Sequence, residues 1–103
     1  MLPETTRMMD AETKKAVGAR LRRIAGQVQA VERMVDTDRT CIDLMHQLAA
    51  VQAAVGKAGE VILRSHIETH VADVARSRDE RERKRSVEDL LTVIGRYNRI
   101  REA

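Results

Sequence analysis

The sequence predicts an all-α fold with a three-helix protomer, and three observations carry that expectation. Ala, Leu, Val, Arg and Glu dominate, while strand-forming residues do not cluster between turn signals. Apolar residues recur at steps of three, four and seven along three stretches, and the single proline, Pro3, lies ahead of all of them. At 103 residues the chain is one domain with little volume for a core of its own, so self-association is the expected way of completing it. The organisation expected is a flexible arm over 1–10, a helical domain over 11–97 and a frayed tail over 98–103.

Asp10 is a plausible N-cap for the first helix, which runs from about 11 to 36, and Glu12 favours the positive end of its dipole. Leu21, Ile24, Val28, Val31 and Val35 form its apolar stripe. Gly18 and Gly26 each cost such a helix about 1 kcal/mol relative to Ala, which a close helix crossing or a partner's backbone would explain. The polar run from Asp36 to Thr40 is a turn, in which Asp38 or Thr40 can cap the second helix.

That helix begins at Cys41 and fades near Ser77, with Leu44, Leu48, Val51, Val55, Ile62 and Ile67 as its periodic apolar positions. Gly56 and Gly59 make a small-residue patch suited to another helix. The charged run Arg76 to Arg85 is either exposed helix or linker. Ser86 can then cap a third helix in a capping-box-like arrangement with Asp89, and Val87, Leu90, Leu91, Ile94 and Tyr97 form its apolar face.

The second helix holds the only cysteine and all three histidines. Cys41 stands in the first turn, where unpaired N–H groups favour negative charge, a placement suited to binding a metal or an electrophile. His66 and His70, four residues apart, project from one face. A thiolate and two imidazoles are metal-ligand types, yet the 25 residues between Cys41 and His66 span roughly 37 Å of continuous helix. One chain cannot close such a site. An antiparallel second copy would set its Cys41 beside His66 and His70 and generate two equivalent sites. The plainer alternative leaves Cys41 as a small buried hydrophobe and the histidines as surface or interface residues. His46 is poorly aligned with Cys41 and fits the surface, and Met8 or Met9 can contribute a thioether or simply pack.

Charge is distributed unevenly. Between Lys14 and Arg33 six bases (Lys14, Lys15, Arg20, Arg22, Arg23, Arg33) face one acid, Glu32, which suggests an anionic partner met on one face. With no Trp, no Phe and one Tyr, aromatic base-stacking is excluded and an aromatic-lined cofactor pocket is disfavoured. A lone cysteine forms no internal disulfide and fits a reducing compartment. No run is apolar enough to cross a membrane and no signal-peptide core is evident, so a cytoplasmic protein is expected. Nothing identifies oxyanion donors or a small-molecule substrate pocket, which counts against an enzyme. A metal buffer or chaperone without a DNA role would use the same ligands but leave the basic helix unexplained.

The segments RLRRIAGQVQAVERMV at 20–35, TCIDLMHQLAAVQAAV at 40–55 and LRSHIETH at 63–70 together closely resemble the CsoR/RcnR family, the copper-sensitive operon repressors and their nickel/cobalt- and formaldehyde-responsive relatives. The resemblance spans about 11–97. It implies an antiparallel dimer assembled into a dimer-of-dimers tetramer. It also implies a repressor that binds operator double-stranded DNA without metal and releases it when the site fills. Cys41, His66 and His70 match the family's three ligand positions, and Arg20 and Lys57 match positions used for operator binding; Lys14, Lys15, Arg22 and Arg23 extend that basic face. The family supports its first histidine with an acidic residue of the third helix, for which Glu88 or Asp89 is the candidate here.

The copper branch usually has Cys where His70 stands; His there is also found among copper sensors but is shared with nickel and cobalt sensors. The nickel/cobalt branch draws a further ligand from an amino-terminal histidine, which this chain lacks. One thiolate and two imidazoles without a hard fourth ligand favour three-coordinate Cu(I) over octahedral Ni(II) or Co(II), with Zn(II) left as a further alternative. The formaldehyde branch has Glu at the position of His70 and uses an amino-terminal proline amine, whereas Pro3 follows Met1 and Leu2.

Overall fold

A computed structural model describes residues 9–102, and within them the chain is three helices joined by short turns. These are α1 (Ala11–Asp36), α2 (Cys41–Arg76) and α3 (Glu80–Glu102). Residues 1–8 of the arm expected at its amino end, Met8 among them, lie outside the described residues, as does Ala103.

Local chemistry sets most of the boundaries. The Asp10 carboxylate accepts the Thr13 amide at 2.7 Å and caps α1, and this bond holds its carboxyl below the ordinary value. At the other end Thr37 and Arg39 return their amides to the carbonyls of Arg33 and Met34 while Asp38 takes a left-handed φ of 58°. Aspartate tolerates that region better than most residues with a Cβ. Of the two candidate caps for α2 the structure selects Thr40, whose hydroxyl accepts the Asp43 amide at 3.2 Å. Ser77, extended at ψ 133°, ends α2.

The third helix corrects the expected start. Ser86 is not a cap, because α3 begins six residues earlier at Glu80 and Ser86 is buried within it. Asp79 performs the capping: its Oδ1 accepts the Arg81 amide at 2.9 Å and its carbonyl accepts the Arg83 amide at 3.1 Å. Glu80 and Glu82 in the first turn suit the helix dipole, and a run of Arg, Glu and Lys has high helix propensity, so the charged hinge is exposed helix. Helix also continues over 98–102, where a frayed tail was expected, with Arg99 and Arg101 complementing the carboxyl end.

Both α1 and α3 pack against α2 as antiparallel hairpins. Tyr97 lies over Gly59 while Ser86 meets His70, so α3 runs back along α2 in opposite order. A Cβ on Gly59 would stand 3.3 Å from the Tyr97 ring, which accounts for a glycine there. No such crossing explains Gly18 or Gly26: a Cβ on the first meets only the Arg22 side chain at 3.5 Å, and one on the second meets nothing within 4 Å.

The apolar positions of α1 divide into two rows, each with a seven-residue step. Val17, Ile24 and Val31 are buried against the hairpin, whereas Leu21, Val28 and Val35 are more than half exposed. Ile42, Met45, Leu48 and Val55 of α2 and Val87 and Leu91 of α3 are likewise exposed. The molecule measures 60 × 26 × 18 Å, with a radius of gyration of 17.9 Å against about 13 Å for a compact chain of this length. One protomer therefore leaves much of its apolar surface uncovered.

Candidate metal centre and basic face

One helical turn separates His66 from His70, and α2 brings their ring centroids to 4.1 Å at an interplanar angle of 58°. His70 is 2% exposed. Its Nδ1 is hydrogen-bonded to the Ser86 hydroxyl at 2.7 Å, across the hairpin between α2 and α3. The Nε2 atoms of both rings are buried without a hydrogen-bond partner. Unpaired buried polar atoms are uncommon in folded proteins, and here two of them lie on neighbouring rings.

Burial pushes His66 below its ordinary value of 6.5; a neighbouring His70 adds to that, and the Asp89 carboxylate opposes it. The His66 ring is accordingly neutral at neutral pH. Both acids named as supports are exposed; the Asp89 charge bears on His66, and the Glu88 carbonyl accepts the Thr92 hydroxyl. Ser86 is the contact that sequence reasoning missed. Its local pattern fits a helix cap, and only the register of α3 on α2 shows that it faces His70.

Cys41 is exposed at the opposite end of α2. Among the described residues no three His, Cys, Asp or Glu side chains gather into a group able to hold a metal ion. The two histidines thus stand toward one end of α2 and the cysteine at the other. Asp73 Oδ2, one turn beyond His70, is also buried without a partner, while its Oδ1 meets Arg76 at 3.2 Å; it does not join the histidines in a three-ligand group. His46 is exposed and Met9 is half-buried.

The predicted basic residues separate into two sets. Arg20 and Lys57 line one groove together with Arg64, Glu60 and Thr13, and Arg20 continues into a second groove with Arg23, Ile24, Gln27 and Ala54. The Glu60 carboxylate lies at the centre, 2.8 Å from Lys57 Nζ and 3.8 Å from Arg64. Its hydrogen bond to Lys57 and the positive charge of Lys57, Arg64 and Arg20 lower its pKa. Arg64 joins this face although charge counting along the chain did not single it out; its position seven residues after Lys57 places it on the same side of α2. Lys14, Lys15 and Arg22 are exposed on α1 outside these grooves.

The model of a family described as metal-sensitive transcriptional repressors matches residues 13–96. The chain belongs to that family. Its copper-sensing members include the transcriptional repressor CsoR of Bacillus subtilis (strain 168), 32% identical over 96 residues that cover 93% of this chain and 92% of the relative. CsoR of Mycobacterium tuberculosis (strain ATCC 25618 / H37Rv) is 38% identical over 56 residues, 54% of this chain and 47% of the relative. A Serratia marcescens protein described as uncharacterized, from the bioA 5′ region, is 34% identical over 84 residues, covering 82% of this chain and 90% of that one. No solved structure matches. The resemblance to the CsoR/RcnR family is therefore sustained over nearly the whole domain, and the protein is a metal-sensitive transcriptional repressor rather than an enzyme. No helix among the described residues is long and apolar enough to cross a membrane.

Proposed function

We propose that this repressor responds to Cu(I), which Cys41 of one protomer and His66 and His70 of an antiparallel partner hold between them. The observation that carries the reading is the pair of buried, unpartnered Nε2 atoms on rings 4.1 Å apart, with the only thiol exposed at the far end of the same helix. One thiolate and two neutral imidazoles are a soft-to-borderline donor set that suits Cu(I) at low coordination number. The exposed rows on α1 and α2 supply apolar surface for the partner that such a site requires.

Without metal, Arg20 and Lys57, with Lys14, Lys15, Arg22, Arg23 and the adjacent Arg64, meet the phosphates of operator DNA. Recognition rests on phosphate contacts and duplex shape, so affinity falls steeply with salt. Bridging two protomers favours a dimer geometry less suited to the duplex. A coupling of about 1–3 kcal/mol changes affinity 5- to 150-fold and derepresses copper-resistance genes.

The test titrates anaerobic, reduced protein with Cu(I) in the presence of labelled promoter DNA, with Ni(II), Co(II) and Zn(II) in parallel. Release at one Cu(I) per protomer, absent in Cys41→Ala although that variant still binds DNA, is the expected result. Release by Ni(II) or Co(II) alone moves the protein to the other metal branch, and release only by formaldehyde makes Cys41 the target of an electrophile. Arg20→Ala should weaken the metal-free complex and flatten its salt dependence by about one phosphate contact while leaving metal stoichiometry unchanged.

A further inference from the structure

The basic face holds an acid at its centre. Glu60 lines the groove that contains Arg20, Lys57 and Arg64, and also a neighbouring groove with Lys57, Gly56, Tyr97 and Arg101. Its Oε2 accepts a hydrogen bond from Lys57 Nζ at 2.8 Å, and its Oε1 stands 3.8 Å from an Arg64 nitrogen. The charge of Arg20 reaches it from α1, so the cations around this carboxylate come from two helices. The Lys57 and Arg64 side chains are more than half exposed and that of Glu60 is 39% exposed, and ion pairs so open to water contribute little to the stability of a helix. They do set the charge that an approaching anion meets.

We propose that Glu60 is a built-in counter-charge of the DNA-binding face, standing among Arg20, Lys57 and Arg64 where a backbone phosphate would otherwise be held. The proposal rests on the DNA role given above to Arg20 and Lys57, and it adds a residue that weakens the complex. A phosphate brought to this groove meets a carboxylate that already takes the Lys57 hydrogen bond. Either the carboxylate turns aside and Lys57 changes partner, or the phosphate is held farther out. In both cases the binding gained from Lys57 is reduced. The repulsion between two unit charges about 4 Å apart in water corresponds to roughly 5-fold in affinity. The cluster also neutralises about one phosphate fewer, which lowers the salt dependence by the same count. The effect follows the phosphate and not the base edges, so it applies to any duplex. An operator complex held weaker in this way is released more fully by a coupling of fixed size.

Fluorescence anisotropy of the metal-free, reduced, full-length protein tests this on labelled promoter DNA and on an unrelated duplex of equal length, from about 50 to about 200 mM salt. Glu60→Gln, which keeps the size of the side chain, should bind both duplexes roughly 5-fold more tightly at the lower salt and steepen the salt slope by about one. With Lys57→Ala already in place, the same change should bring less than about 2-fold, because the two residues act as a pair. Glu32→Gln removes an equal charge from an exposed α1 position that lines none of these grooves, and should also change affinity by less than about 2-fold. Far-UV circular dichroism matched to the wild type shows that the variants fold. A folded Glu60→Gln that binds no more tightly, or more weakly because the carboxylate was orienting Lys57, overturns the proposal; the DNA face still stands if Lys57→Ala and Arg20→Ala weaken the complex. An undiminished gain in the Lys57→Ala background, or an equal gain in Glu32→Gln, reduces the effect to net charge and overturns it as well. If Lys57→Ala and Arg20→Ala bind as the wild type does, the DNA face itself is wrong and the proposal falls with it.

Discussion

His66 shows how a residue's surroundings favour the neutral imidazole that the proposed ligation needs. Charging the ring would strand a proton in a partly desolvated site beside a second imidazole, so the neutral form is favoured and the Asp89 carboxylate offsets only part of that effect. Proton NMR of the metal-free protein should therefore place the His66 midpoint below 6.5, and Asp89→Asn should lower it further. A midpoint that rises in Asp89→Asn would mean that the carboxylate does not face the ring. The linkage has a definite sign. The unfolded chain binds the proton more readily, so the stability associated with neutral His66 is fully present above 6.5 and is lost as pH falls through the lowered folded value. The proposed metal capture would share that direction, since protons would compete with the metal for its thiolate and imidazole ligands.

At the scale of the helices, each turn is set by a few hydrogen bonds that hold functional side chains in place. Thr40 accepts the Asp43 amide and thereby fixes the first turn of α2, in which Cys41 lies. Thr40→Ala should cost about 1 kcal/mol in thermal or chemical unfolding without shifting the far end of the helix. Gly59 governs the approach of α3. Gly59→Val drives a branched side chain into the Tyr97 ring, which a glycine Cβ would already meet at 3.3 Å, and should destabilise by about 1–3 kcal/mol. Gly95→Ala is the control, because its Cβ meets nothing within 4 Å and the change improves helix propensity. If both variants unfold alike, the close crossing is not what holds α3.

The whole molecule is an elongated protomer in which the buried hydrophobic core of the described residues is Val17, Ile24, Val31 and Ala58. So thin a core leaves Leu21, Val28 and Val35 on α1 and Ile42, Met45 and Leu48 on α2 in need of cover. Val28→Asp places a charge in the middle of that surface. In sedimentation it should shift the protein toward monomer, and with the partner lost it should abolish Cu(I) binding although all three ligands remain. A monomer that still binds Cu(I) with undiminished affinity would rule out a shared site.

Helix identity and most helix boundaries were legible in the sequence because caps and apolar periodicity act within a few residues. Asp10, Thr40 and Ser77 end or begin helices through bonds to their own neighbours. The separation of Cys41 from the histidines was equally legible, since helix rise is a constant of the backbone. The start of α3 was misplaced because a charged run carries no apolar signal, and the Asp79 bonds that cap it resemble those of any polar turn. Tertiary structure alone decided that Ser86 meets His70, that the Asp89 charge bears on His66, and that Arg64 and Glu60 join Arg20 and Lys57. The physical reason is register: which side chains meet across an antiparallel hairpin depends on how far one helix slides along the other. Packing such as Tyr97 on Gly59 sets that distance, and no local propensity encodes it.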